Sequence, residues 1–326
     1  MQSEVSPDAG TSAADVQRIS VLIPARNASA SLAGTLESLL PVKDLIGEVV
    51  VTDDGSTDGT AETALSIGAQ TGLPVTVVSG RLAGVGAARN VAFQASSCPL
   101  VLFMDADDHI IGPGLRRLHQ ALTADPAAML AIGGAMDARP GQVSYYPPGA
   151  FGQDLAANAE GLLSYRLNLV RPGAGLGRRA LMEKRRFPEG VPIGEDVLYW
   201  ASLLRLGAVA TVDEAVVTYF IDESRYDARY LKAPSRDFLA YARAARRVGV
   251  SRPALREAQG KLATWALRRL IAAGRTHQAK RFLQLGLAAR LPRHDRIELL
   301  KVVVRARYWP ALPVLTGRGM PRRRRG

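Results

Sequence analysis

The chain has 326 residues, 47% of them apolar and 22% charged, the composition of a folded globular protein with length for one large domain or two smaller ones. A single cysteine, Cys98, excludes an internal disulfide, and the lack of any run of about 18 uninterrupted apolar residues argues against a transmembrane helix. The net charge of +12 is divided unevenly: residues 225–326 hold 26 Lys and Arg against 5 Asp and Glu, whereas residues 1–224 hold 16 against 25. Such asymmetry predicts two functional parts, one of them facing a polyanion.

The first residues, through Gln17, contain no apolar stretch of the kind a secretory leader needs, so residues 1–18 are expected to be a disordered lead-in. Ile19-Ser20-Val21-Leu22-Ile23-Pro24 is a β-branched run ended by proline and predicts a first buried strand. Ala25-Arg26-Asn27 follows as a loop. Ser29 or Ser31 is then placed to cap a helix with Leu32, Leu36, Leu39 and Leu40 on one face, which Pro41 stops. A second strand, Val49-Val50-Val51-Thr52, runs into Asp53-Asp54-Gly55-Ser56-Thr57-Asp58-Gly59-Thr60, where glycines permit tight turns and Ser56, Thr57 and Asp58 offer helix caps. A helix through Glu62, Leu65 and Ile67 leads to a third strand over residues 74–78. Gly84-Val85-Gly86-Ala87-Ala88-Arg89-Asn90 opens the next helix, with free backbone N–H groups and a guanidinium where a phosphate could sit.

The fourth strand, Leu100-Val101-Leu102-Phe103-Met104, ends in Asp105-Ala106-Asp107-Asp108. In an extended backbone Asp105 and Asp107 would point the same way, and two hard oxygen ligands side by side suit Mg²⁺ or Mn²⁺. The order β-α-β-α-β-α-β implies a parallel, right-handed, doubly wound α/β sheet with both carboxylate clusters on its carboxyl edge, where such sheets bind ligands. Further on, the pattern predicts a helix over residues 115–122, a strand over 129–132, a helix over 155–169 and a glycine-rich connection over 172–177. Glu195 and Asp196 then begin an amphipathic helix capped by Gly207. Beyond Arg225, residues 238–248, 255–273 and 278–291 are rich in Ala, Leu and Arg at helical spacing and predict a helical appendage. Residues 297–309 mix apolar residues, cations and Tyr308-Trp309, a composition suited either to a helix on an anionic membrane surface, with the arginines of 322–325 adding attraction, or to an ordinary docked helix followed by a solvated tail. Cys98 is expected as a small core residue and His109 as a loop residue rather than a metal ligand.

Four stretches taken together resemble the catalytic domain of family 2 glycosyltransferases of the GT-A type: Val21-Leu22-Ile23-Pro24-Ala25-Arg26-Asn27, then Val51-Thr52-Asp53-Asp54-Gly55-Ser56-Thr57-Asp58-Gly59-Thr60, then Gly86-Ala87-Ala88-Arg89-Asn90, and Met104-Asp105-Ala106-Asp107-Asp108. Gly194-Glu195-Asp196 is similar to that family's later acidic pair. The resemblance covers residues 19–220 and implies a Rossmann-like, doubly wound mixed sheet over 19–222, followed by a basic helical region over 223–326. It implies that Pro24, Ala25 and Asn27 border the nucleotide and that Asp53 or Asp54 hydrogen-bonds the donor base or ribose. Arg89 would contact the diphosphate or sugar. Asp105 and Asp107, with Ala106 between them, would form the donor and metal site, with Asp107 a direct ligand. Asp196 would be the general base, with Glu195 near the acceptor. The activity implied is inverting transfer from a nucleotide sugar, UDP-linked, to a saccharide, glycolipid or envelope-polymer acceptor, with Mn²⁺ or Mg²⁺. The implied place is the cytoplasm, peripheral on the inner face of the plasma membrane through the basic region.

Two departures from the family pattern stand out. An asparagine often found before the A-R-N element is missing at Arg81-Leu82-Ala83-Gly84, and where members carry Arg or His after a Tyr the chain reads Tyr219-Phe220-Ile221, leaving Arg225 or Arg229 as substitutes. A nucleotidyltransferase shares the nucleotide-binding half and the acidic metal ligands, but it would more typically carry a basic, glycine-rich segment after its first strand, and Pro24-Ala25-Arg26-Asn27-Ala28 has no glycine. A catalytically inactive adaptor for a membrane or polyanion would have lost acidic residues that are all present. Basic charge without a recognition motif gives no specific nucleic-acid binding.

Overall fold

A computed structural model describes residues 17–80, 84–221, 232–275, 277–279 and 282. They fall into two compact units. The first contains the chain to Pro148, Val170–Arg186 and Gly207–Phe220; the second contains Gly149–Leu169, Phe187–Leu206 and the chain from Ile221 onward.

The first unit is built on one sheet. Strands β1 (Ile19–Ala25), β2 (Ile46–Asp54), β3 (Val75–Gly80) and β4 (Leu100–Phe103) lie in the order β3-β2-β1-β4, all parallel. Helices α1 (Ser29–Glu37), α2 (Thr60–Thr71) and α3 (Val85–Gln94) connect them. Every residue of β1 and β4 is buried, which is why both read as continuous apolar runs rather than alternating ones. The core includes Val21, Ile23, Leu32, Leu36, Val49, Val51, Leu100 and Leu102. The expected doubly wound parallel half is present.

Beyond β4 the sheet becomes mixed. After β5 (His109–Ile110) and α4 (Gly112–Ala124), β6 (Ala128–Arg139) and β7 (Gln142–Tyr146) form a hairpin. The four-residue strand β8 (Gly175–Arg178) runs antiparallel to both β4 and β6, and α6 (Arg179–Met182) follows it. β9 (Ala208–Phe220) is parallel to β6 and antiparallel to β5. Residues 172–177, expected as a loose connection, therefore include a central strand. Its glycines have little intrinsic strand preference, and pairing on both sides overrides that. His109 likewise lies in a strand, its ring edge-on to Phe220 at 4.9 Å, not in a loop. Cys98 is half-buried.

The second unit is helical, with α5 (Leu155–Leu163), α7 (Glu195–Leu204), α8 (Pro234–Ala245) and α9 (Arg252–Ala272). α5 stops well short of residue 169, because the chain after Ser164 turns back on its last carbonyls. α7 ends at Leu204 with Arg205 as C-cap, so Gly207 lies beyond it. At α1 the N-cap is Ala28, with no side-chain cap; Ser29 is already helical. No helix among the described residues is long and apolar enough to cross a membrane. The expected lead-in, Arg225, Arg229, most of the helix expected over 278–291 and the expected surface helix over 297–309 lie outside the described residues.

Candidate active site

At the carboxyl edge of the parallel strands, the loop after β1 is stitched to the loop after β2. Asn27, with φ of +49°, donates its N–H to Ser56 Oγ (2.8 Å) and accepts from Thr57 N through its side-chain oxygen (3.0 Å). Ala28 N donates to Thr60 Oγ1 (2.9 Å), and Ser29 donates through both N (3.1 Å) and Oγ (2.9 Å) to Asp58 Oδ2. Asp53 and Asp54 close β2, both buried. Ser56 N donates to Asp53 Oδ1 (2.9 Å), folding the loop back over that carboxylate, and the exposed Arg26 approaches Asp54 at 4.0 Å. Gly59, at φ of +82°, is the N-cap of α2, a left-handed position that the sequence fills with the residue best suited to it. Pro24 and Ala25 are buried at the end of β1 beside Thr52 and Asp53.

The second cluster lies at the same edge. Met104 N still donates to Leu22 O (3.1 Å), but Asp108 N then bonds back to Asp105 O (3.3 Å), so residues 105–108 form a turn. The alternation of an extended strand, on which the expected side-by-side direction of Asp105 and Asp107 rested, therefore does not apply there; the i to i+3 bond takes over from the strand ladder. Ser31 Oγ anchors the turn from α1 by donating to Ala106 O (2.9 Å). Asp105 and Asp107 are partly exposed, while Ala106 and Asp108 are buried. The buried Arg89, one turn into α3, donates from Nη2 to Asp105 Oδ1 at 2.7 Å. The structure thus brings Arg89 and Asp105 into direct contact, a charge-assisted bond of the strong kind.

Asp108 is the residue of the motif to which sequence reasoning gave no task. Its Oδ1 accepts the N–H of Phe220 (3.0 Å), tying the turn to the end of β9, and its Oδ2 is buried without a hydrogen-bond partner. Burial, followed by the charges of Asp105 and Asp107, pushes its pKa up to about 9; Phe220 N–H and Arg171 act the other way. Arg171 was not anticipated at all. It forms a two-pronged ion pair with the buried Asp137 (Nη2–Oδ2 2.7 Å, Nε–Oδ1 3.2 Å), and its guanidinium carbon lies 4.4 Å from the Tyr146 ring centre and 4.8 Å from that of Tyr219. Its partners come from β6, β7 and β9, so no local pattern announces it.

Among the described residues no group of three or more His, Cys, Asp or Glu forms a protein-only metal cage. The donor set instead offers two partly exposed carboxylates, one already engaged by Arg89, beside the orphaned buried oxygen of Asp108. That chemistry fits a hard divalent cation which takes its remaining ligands from phosphate and water. In the second unit, Glu195 and Asp196 open α7; Glu195 is buried, Asp196 is half-buried, and Val197 N lies 2.8 Å from Asp196 Oδ1.

Residues 20–171 match the family described as Glycosyl transferase family 2. Over that stretch the chain is similar to family 2 glycosyltransferases. Its similarity to the succinoglycan biosynthesis protein ExoU of Rhizobium meliloti is 33% identity over 205 residues, which is 58% of this chain and 58% of ExoU, so the match spans little more than half of that relative. Among solved structures, TarS 1–349 of S. aureus in complex with UDP-GlcNAc superposes with a TM-score of 0.57 at 17% identity, covering 92% of this chain and 95% of TarS 1–349. The mannosyltransferase PcManGT of Pyrobaculum calidifontis, in complex with GDP-Man and Mn²⁺, superposes with a TM-score of 0.55 at 20% identity, covering 90% and 88%. At these identities the likeness to both is one of fold, and it is the α/β, mixed-sheet architecture described above. The family 2 match takes in β1 through Arg171, and so includes Asp53, Asp54, Arg89, Asp105 and Asp107.

Proposed function

We propose that the chain is an inverting glycosyltransferase that moves a sugar from a nucleoside diphosphate sugar, UDP-linked, to a hydroxyl of a saccharide, glycolipid or envelope-polymer acceptor. The observation that carries this reading is the carboxylate turn at residues 105–108, held by Arg89 at the same sheet edge as Asp53 and Asp54. The nucleotide sugars bound by TarS and PcManGT lend support to a donor of that class.

In this reading, Asp53 or Asp54 hydrogen-bonds the base or ribose, and the loop of Pro24, Ala25 and Asn27 borders the nucleotide. Asp107 and Asp105 would hold Mn²⁺ or Mg²⁺, which when bound supplies positive charge to the departing diphosphate. Arg89 pairs with Asp105 and adds its own charge to the donor side. Asp196 takes the proton of the incoming hydroxyl, and Glu195 orients the acceptor. A single displacement from the face opposite the leaving group inverts the anomeric centre.

The exposed cations Lys232, Arg243, Arg246, Arg247 and Arg252 support an anionic partner for the basic region, a membrane surface or a polymer, since Asp237 is paired with Arg236 and Glu257 with Lys261. Calorimetric titration with UDP, GDP and dTDP, with and without Mn²⁺, tests the donor side. Metal-dependent binding of UDP that is lost in Asp107→Ala is the expected result. A folded protein that binds none of the three would overturn the proposal.

A further inference from the structure

Strand β1 lies between β2 and β4, so the helix that follows it, α1, starts between the two carboxylate clusters at the sheet edge. A helix begins with backbone N–H groups that have no partner within it, and the side chain of the N-cap residue commonly supplies one. α1 has no such cap, because its N-cap is Ala28. The loop after β2 supplies the partners instead. Thr60 Oγ1 accepts the Ala28 N–H (2.9 Å), and Asp58 Oδ2 accepts Ser29 through its N–H (3.1 Å) and its Oγ (2.9 Å). Thr60 is fully buried, and its hydroxyl donates onward to Asp58 Oδ1.

One face of the same helix grips the carboxylate turn. Ser31 Oγ lies 2.9 Å from Ala106 O and 3.3 Å from Ala28 O, so the turn offers the nearer acceptor. Ser38, the C-cap of α1, accepts the Ile110 N–H at its Oγ (2.9 Å). Between them, a Cβ on Gly34 would sit 2.9 Å from His109 Nε2, a close approach that the missing side chain permits. Positions 31, 34 and 38 follow the i, i+3, i+7 spacing of one helix face. That face meets residues 106, 109 and 110, which bracket Asp107 and Asp108. A single helix of nine residues is therefore fastened to the loop of Asp53 and Asp54 at its start and to the carboxylate turn along its side.

We propose that α1 is a brace that couples nucleotide binding to metal binding, with Thr60 and Ser31 as the positioning residues at its two attachments. The inference rests on the reading of Asp53 or Asp54 as a nucleotide contact and of Asp105 and Asp107 as the metal site. A helix bonded to both clusters holds them in one mutual geometry, so a ligand that orders either cluster favours binding at the other. Loosening one attachment lets the clusters settle independently. It weakens the coupling between nucleotide and metal while leaving every proposed ligand of both in place.

Calorimetry on the full-length protein tests this, using whichever of UDP, GDP and dTDP binds tightest, with saturating Mn²⁺ and with EDTA. The readout is the ratio of the two dissociation constants. If the parent protein binds none of the three, or binds no better with Mn²⁺, the underlying reading fails and the inference falls with it. Given metal-enhanced binding, Ser31→Ala and Thr60→Val should each lower the ratio by about tenfold. The double variant should lower it no further than the larger single loss, because both changes break one path. Thr60→Ser, which keeps the hydroxyl, should restore the parental ratio. Should Thr60→Val fail to fold, Asp58→Ala, at an exposed position, takes its place with the same expectation. A Thr60→Val affinity that falls equally with and without Mn²⁺ means that the two clusters act independently; it overturns the inference and leaves the nucleotide reading standing. So does a ratio that merely follows a lowered melting temperature and is not recovered by Thr60→Ser.

Discussion

Two guanidinium groups of the sheet unit pair with carboxylates, Arg89 buried and Arg171 half-buried, and both act on the turn at residues 105–108. Arg89 reaches Asp105 directly, whereas Arg171 is locked to Asp137 and touches the turn only through its field at Asp108. Arg89 stands one helical turn into α3 and meets a carboxylate that is itself partly open to solvent. Arg171 is held by an ion pair, by two aromatic faces and by three strands. The first arrangement leaves a charge at the proposed donor edge; the second joins β6, β7 and β9. The same residue type thus serves the candidate chemistry in one place and the fold in the other.

Replacing Arg89 by Ala tests that division most severely. It strips Asp105 of its partner and removes positive charge from the donor edge. We expect kcat/KM to fall by about a hundredfold, together with a stability loss on the order of 3 kcal/mol from breaking a buried pair, read by urea unfolding. If stability falls while donor affinity and turnover hold, Arg89 belongs with Arg171 as a structural cation and the contrast collapses. Arg171→Ala should cost about 2–3 kcal/mol, because Asp137 is left buried and unpaired, yet it should change donor affinity little. Arg171→Lys should recover less than half of the loss, since an ammonium reproduces neither the two-pronged pairing nor the stacking between Tyr146 and Tyr219. Full recovery by lysine would show that only charge matters there.

The same contrast explains what was legible in the sequence. Arg89, Asp105 and Asp107 lie in short contiguous motifs at strand ends, because a parallel sheet delivers every strand to the same edge in chain order. Arg171 draws its partners from positions 137, 146 and 219. No local spacing encodes such meetings. The fold divides similarly. β1, β2 and β4 announce themselves as long apolar runs, being buried on both faces. β8 is Gly-Leu-Gly-Arg, and β9 alternates between half-buried and exposed positions over most of its length, so neither carries a strand signature. Both are strands because neighbours pair with them, a tertiary cause that residues 172–177 do not show on their own.

A carboxylate that no cation pairs with among the described residues completes the comparison. Glu48 Oε1 accepts from Ser20 Oγ (2.7 Å), Ser97 N (2.6 Å), Ser97 Oγ (3.1 Å) and Cys98 N (3.1 Å), fastening the approach to β4 onto β2. Burial alone would raise its pKa, but the Ser97, Ser20 and Cys98 bonds win and hold it down at about 2. A folded-state pKa below the unfolded value means that the unfolded chain binds more protons between those two values. The stabilisation is therefore complete above about pH 5 and disappears as the pH falls toward 2. Glu48→Gln should cost on the order of 2 kcal/mol at pH 7, and the gap between variant and parent should close steadily between pH 5 and pH 2. A Glu48→Gln deficit that stays constant across the same range would mean that the side chain matters through its shape and not its charge. The anchor beneath β4 would then be a packing feature, unlike the two guanidinium pairs.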